Sequence, residues 1–161
     1  MLLKTNTLAV TLASLELSWI KTNFLWMMYR SGWVTKTDQK VTLAIYLKRP
    51  YFIDILAATF PSKNTQGIAK GEWDRWVANT DVRLQWDPDH DPHGIKQNRK
   101  TIQLGLRKSY LYGFNGGAIE RIEDISTFVS EQRKWVEKGE FEKLLTSINK
   151  SFWFTQLCVN R

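Results

Sequence analysis

Residues 85–94 read Q-W-D-P-D-H-D-P-H-G, and both histidines of the chain, His90 and His93, lie there among three aspartates. This mixture admits three readings: a metal site, a catalytic cluster, or a polar loop at the end of a strand. Calcium in an EF-hand loop needs oxygens at positions 1, 3 and 5, a turn glycine at 6 and a bidentate glutamate at 12. Counted from Asp87, position 6 is Pro92 and position 12 is Asn98. Proline cannot adopt the positive-φ turn, and an asparagine is no bidentate carboxylate. His90 and His93 would share a helical face, but Pro88 and Pro92 forbid a helix here. No metal is therefore expected. The bland reading is a solvated turn in which Asp87 and Asp91 accept backbone N–H bonds. The functional one is a binding loop at a strand end, using Gln85, Trp86, Asp87 and Asp91.

Other chemistries find less support. Two histidines in one loop, with no Gly-x-Ser-x-Gly, give little for a nucleophilic triad. No G-x-G-x-x-G or phosphate-binding G-x-x-x-x-G-K-[ST] motif is present. The single Cys158 leaves no internal disulfide and no cysteine-based zinc site, and it fits a reducing, cytoplasmic compartment. No run approaches the roughly 18 apolar residues of a membrane helix. The opening M-L-L-K-T-N-T-L-A-V-T-L-A-S-L only faintly resembles a secretory signal.

Charge is uneven along the 161 residues. The net +7 divides into +6 over residues 1–70, −4 over 71–91 and +5 over 92–119, and the remainder balances. A basic surface attracts phosphates, so a nucleotide or a nucleic acid is a natural partner. A merely basic soluble protein has the same composition.

The elements that must position these residues follow from pattern. A chain of this length, 43% apolar with eight tryptophans, makes one domain, 1–161, with one core. N-F-L-W-M-M-Y-R-S-G-W (23–33) predicts a short buried helix with Asn23 as cap and Gly32 as stop. V-T-L-A-I-Y-L (41–47) predicts a central strand and 51–60 a helix opened by Pro50. Residues 71–79 predict an amphipathic helix. Strands are expected over 81–87, 101–107 and 118–125 from their alternation. A helix is expected over 126–139, with Ser126 as cap and Gly139 as stop. The fold class is α+β: a small, mostly antiparallel sheet with helices around it.

Several motifs in fixed order carry a resemblance. W-I-K-T-N-F-L-W-M-M-Y-R-S-G-W (19–33), V-T-L-A-I-Y-L-K-R (41–49), V-R-L-Q-W-D-P-D-H-D (82–91), I-Q-L-G-L-R (102–107) and I-E-R-I-E-D-I-S (119–126) resemble the uncharacterised family called domain of unknown function 4291. The match runs over about residues 18–145. Residues 1–17 and 148–161 look unlike the usual ends of that family, whose members carry an earlier strand like V-Y-Q-A. The expectation is a version lacking that first strand, and an inactive truncated member is one alternative. The element order is also similar to small ADP-ribosyltransferase folds. That likeness implies NAD as cofactor. Tyr29, Arg30 and Ser31 would contact nicotinamide or phosphate, and Glu123 would be the late acid of a catalytic set with Arg30 and Ser31.

Each candidate has a plain structural reading beside the functional one. Arg30, inside an apolar helix, is either paired with Asp87 or Asp91 or a fork for phosphate. Lys21 is solvated or phosphate-binding. Gln85 and Gln103 line a groove or face water. Arg99 and Lys100 are surface cations or phosphate contacts. Trp26, Trp33 and Trp86 are core or stacking platforms. The alternative function is a basic nucleic-acid-binding module built on residues 96–108 and exposed tryptophans.

Overall fold

The computed structural model describes residues 17–37, 39–115, 117–146 and 155–157. Among them, seven strands join one sheet in the order β3-β4-β5-β1-β7-β2-β6. The strands are β1 (Ser18–Lys21), β2 (Leu43–Leu47), β3 (Thr59–Pro61), β4 (Val82–His90), β5 (Lys96–Leu106), β6 (Ile119–Asp124) and β7 (Thr155–Leu157). Only β3 and β4 run parallel; every other pair is antiparallel. Five α-helices accompany them: α1 (Phe24–Ser31), α2 (Arg49–Ala57), α3 (Lys70–Asn79), α4 (Ser109–Asn115) and α5 (Ser126–Lys138). The protein is α+β with a mostly antiparallel sheet.

Alternation along the strands gives the sheet two unlike faces. Ile20, Leu43, Ile45, Leu47, Val82, Leu104, Leu106 and Ile122 point one way, into a core closed by Phe52 and Ile55 of α2 and Leu111 of α4. The other face is polar over much of its width. A second, smaller core of Phe24, Met27, Met28, Val34 and Val129 joins α1 to α5.

Local chemistry sets the ends of α1. Asn23 Oδ1 accepts from the Trp26 N–H at 2.7 Å, satisfying one orphan donor of the first turn. Gly32 at φ +58° closes the helix, its N–H reaching the Met28 and Tyr29 carbonyls. Trp33 and Val34 continue at positive φ, an unusual conformation for bulky residues. Bonds from Trp33 N to Met28 O and from Lys36 N to Ser31 O hold this turn.

Several elements differ from their sequence-based expectation. β4 runs three residues past Asp87, through Pro88. Proline survives there because β3 ends opposite Leu84, leaving the outer edge of β4 unpaired, and because the register shifts between Pro88 and His90. β5 begins at Lys96, not 101, since the polar K-Q-N-R-K run pairs back across the hairpin. The helix expected over 51–60 stops at Ala57, and Thr59–Pro61 becomes edge strand β3. Ser126 does not cap α5: Asp124 Oδ1 accepts the Ser126 N–H at 2.9 Å, while Ser126 Oγ accepts from Thr42 N. β1 and α4 carry no pattern strong enough to read. The expectation of a lost first strand, and most of the atypical tail, lie outside the described residues.

Candidate functional site

The registers line residues up across the polar face. Gln85 of β4 pairs with Gln103 of β5, Gln103 with Lys21 of β1, Lys21 with Gln156 of β7, Gln156 with Ala44 of β2, and Ala44 with Glu123 of β6. Directly opposed residues share a face. One transverse row therefore holds Gln85, Gln103, Lys21 and Glu123. Five strand steps of about 4.8 Å separate its ends, roughly 24 Å in all.

Lys21 sits inside the row, two strands from Gln85. Its side chain is 2% exposed, and its ammonium crosses β5 to reach Asp87 Oδ2 at 2.6 Å. The Trp26 ring of α1 covers the ammonium at 3.8 Å. Burial holds the Lys21 pKa below its usual value, against the hydrogen bond and charge of Asp87 and the charge of Asp89. The expectation of a solvated Lys21 is thus corrected: the alternating S-W-I-K strand turns it onto a face that α1 roofs. Asp87 Oδ1 accepts the Gln85 amide at 3.0 Å. Asp87 therefore binds side chains, whereas Asp91 does what a turn aspartate does, accepting from His93 N and Ile95 N.

Two further residues complete the cluster. Asp89 is 1% exposed; its Oδ2 takes the Arg99 guanidinium through Nε at 2.8 Å and also through an Nη, and its Oδ1 accepts from His90 N. His90, 3% exposed, stacks on Tyr29 with centroids 3.9 Å apart. Neither ring nitrogen of His90 has a hydrogen-bond partner among the described residues. Sequence reasoning passed over both. The available signal was the D-x(9)-R spacing, which a hairpin folds into a cross-strand pair.

The remaining candidates separate. Arg30 is exposed, not buried, because it sits at the open end of α1; it pairs with neither Asp87 nor Asp91, and its carbonyl accepts from Lys36 Nζ. Tyr29 is 47% exposed beyond its His90 contact. Ser31 is buried, and its hydroxyl bonds within its own turn, to Met28 O and from Val34 N. Glu123 lies at the far end of the row, accepting the Tyr46 hydroxyl at 2.9 Å and pairing with Arg121 at 2.7 Å. Trp86 is on the opposite, apolar face, 58% exposed. Lys21, Gln85 and Asp87 are thus brought together, Arg99 is held next to them by Asp89 and Tyr29 by His90, and Glu123 is not among them.

Asp87 and Asp89 are each neutralised by a cation. What the cluster turns outward is donors and amides: Gln85, Gln103, the Tyr29 phenol and the Arg99 guanidinium. Such a surface suits an anionic ligand with hydrogen-bonding edges. No group of three His, Cys, Asp or Glu side chains among the described residues could hold a metal ion. No helix among them is long and apolar enough to cross a membrane. A separate groove of ≈ 550 Å³ lies between α2 and α4, lined by Tyr51, Asp54 and Tyr110 among others, and contains none of the sequence-predicted site residues.

No curated protein and no solved structure matches the chain. A family profile does match, over residues 4–152, and it takes in residues 4–17, which the motifs set outside the family pattern. The motif order, the α+β sheet that it builds and this match over nearly the whole chain together establish that the protein belongs to the family described as Domain of unknown function (DUF4291).

Proposed function

We propose that the polar face of the sheet binds a nucleotide, with NAD as the ligand, and that the protein is an ADP-ribosyltransferase-like transferase. The observation that carries this reading is the transverse row, which puts Gln85 and Glu123 at the two ends of one sheet face with the buried Lys21 between them. In this reading the Lys21–Asp87 pair positions Gln85, Arg30 and Arg99 hold phosphate, Tyr29 stacks on a ring, and Ser31 fixes the turn that presents Arg30. Trp86, on the other face, has no part in it. Glu123 steers the ribose end, where the bond to nicotinamide breaks, a bond to the acceptor forms and the acceptor loses its proton. A cytosolic location accords with the lone cysteine.

Purified protein titrated with NAD, ADP-ribose and ADP tests this reading. A thermal upshift with NAD that Arg30→Ala and Gln85→Ala abolish is the expected result, since a ligand that binds only the folded state raises its stability. No shift and no release of nicotinamide overturns it.

A second reading, the basic nucleic-acid-binding module, is favoured by a different observation: the exposed Trp86 and the exposed K-Q-N-R-K run of β5 share one hairpin. It predicts affinity that falls linearly with salt on logarithmic axes. Binding indifferent to salt removes it.

A further inference from the structure

We infer that the open end of the apolar sheet face is a stacking surface for single-stranded nucleic acid, with Trp86 as its platform. The inference rests on the nucleic-acid reading above and names the form of the partner.

Val82 and Leu84 of β4 point into the core, and alternation puts Trp86 on the same face two residues further on. There the cover ends. Phe52 and Ile55 of α2 and Leu111 of α4 share the buried core with Ile45, Val82 and Leu106, and Ile102 packs partly buried against it, but its register partner Trp86 is 58% exposed. A large aromatic left in water on a sheet face is the informative exception to burial.

Its surroundings choose the occupant. The next pair along the hairpin is Pro88–Lys100, so Lys100 is the diagonal neighbour of Trp86 on that face. On the other side Lys63 follows β3, whose Pro61 pairs with Leu84. Both lysines are exposed, as is Lys96 beyond them, and residues 92–119 contain no acidic group. An indole between exposed cations on an open sheet complements a base followed by its phosphates. A duplex keeps its base faces stacked inside and offers an indole nothing to lie on; a single strand exposes them.

Fluorescence anisotropy of the full chain with labelled ten-nucleotide rU and dT single strands, and with a duplex of the same length, tests the inference. Single strands should bind more tightly than duplex. Trp86→Ala should weaken them by about 5- to 150-fold, the counterpart of about 1–3 kcal/mol per stacked base, and Trp86→Phe should keep most of the affinity. Lys100→Ala and Lys63→Ala should lower the salt dependence. The indole is solvent-facing, so an unchanged thermal melt of Trp86→Ala is the folding control, and Trp86→Gln, which keeps bulk without an aromatic face and should lose the same affinity, serves if that control fails. Duplex binding as tight as single-strand binding, or Trp86→Ala binding like the parent, overturns the stacking surface while salt-dependent binding keeps the basic module. Absence of any binding overturns both.

Discussion

Lys21 Nζ and Asp87 Oδ2 meet at 2.6 Å although a whole strand, β5, runs between their own. The lysine stem spans that strand, and Trp26 seals the contact from above. Removing one member of a buried pair strands the other without a partner in a poorly solvated place, which costs about 3–5 kcal/mol. Replacing both with apolar residues avoids that penalty. Lys21→Met and Asp87→Leu should each destabilise strongly, and the double variant should recover much of the loss. Urea denaturation of the four proteins in a double-mutant cycle measures the coupling; additive losses would show that the pair does not hold the site.

Gly105 is required by a neighbour and not by its own backbone. A Cβ there would lie 2.9 Å from the Trp19 ring, because Trp19 is its register partner and folds flat across β5. Overpacking of this kind costs about 1–3 kcal/mol. Gly105→Ala should lower the melting temperature, and adding Trp19→Leu should return part of the loss. A Gly105→Ala protein that melts like the parent sinks the argument.

The caps of α1 make a more local test. Asn23→Ala removes the side-chain acceptor for Trp26 N and should cost about 1 kcal/mol. Gly32→Ala must hold φ near +58° and also press its methyl on Thr35 Oγ1, so it should cost at least as much. Far-ultraviolet circular dichroism melts of both variants read the difference, and stability equal to the parent in either would refute its cap.

These same residues show what was legible beforehand. Asn23 and Gly32 announce α1 because capping is a bond between neighbours in the chain. The alternation over 81–87 and 101–107 was readable for the same reason. β1 was not: four residues are too short for a period, and S-W-I-K becomes a strand only because β5 and β7 flank it. The burial of Lys21 was hidden with it. Arg30 misled because an apolar helix looks buried all round, while its last turn in fact opens to solvent. Asp89 and His90 looked like loop polarity until the hairpin crossed Arg99 over one and α1 laid Tyr29 on the other. For Lys21, Asp89 and His90 the deciding partner lay elsewhere in the sequence.

Tyr51 provides a test by pH. Burial, with a smaller push from Tyr110, raises its pKa from 10.0 to about 12, and its hydroxyl donates to the Tyr110 carbonyl. The unfolded chain gives up this proton first, so above pH 10 deprotonation favours unfolding; the contribution of Tyr51 to stability is complete below pH 10 and is lost as pH rises to about 12. Lys21 acts in the opposite sense, since its folded pKa is lowered: its contribution grows as pH rises toward its unfolded value of 10.5. Tyr51→Phe removes the first effect and leaves the second. Its stability should therefore fall less steeply than that of the parent between pH 10 and 12, and its tyrosinate absorbance should lack the last-titrating step. Superimposable titrations of the two proteins would show that Tyr51 ionises as an ordinary surface phenol.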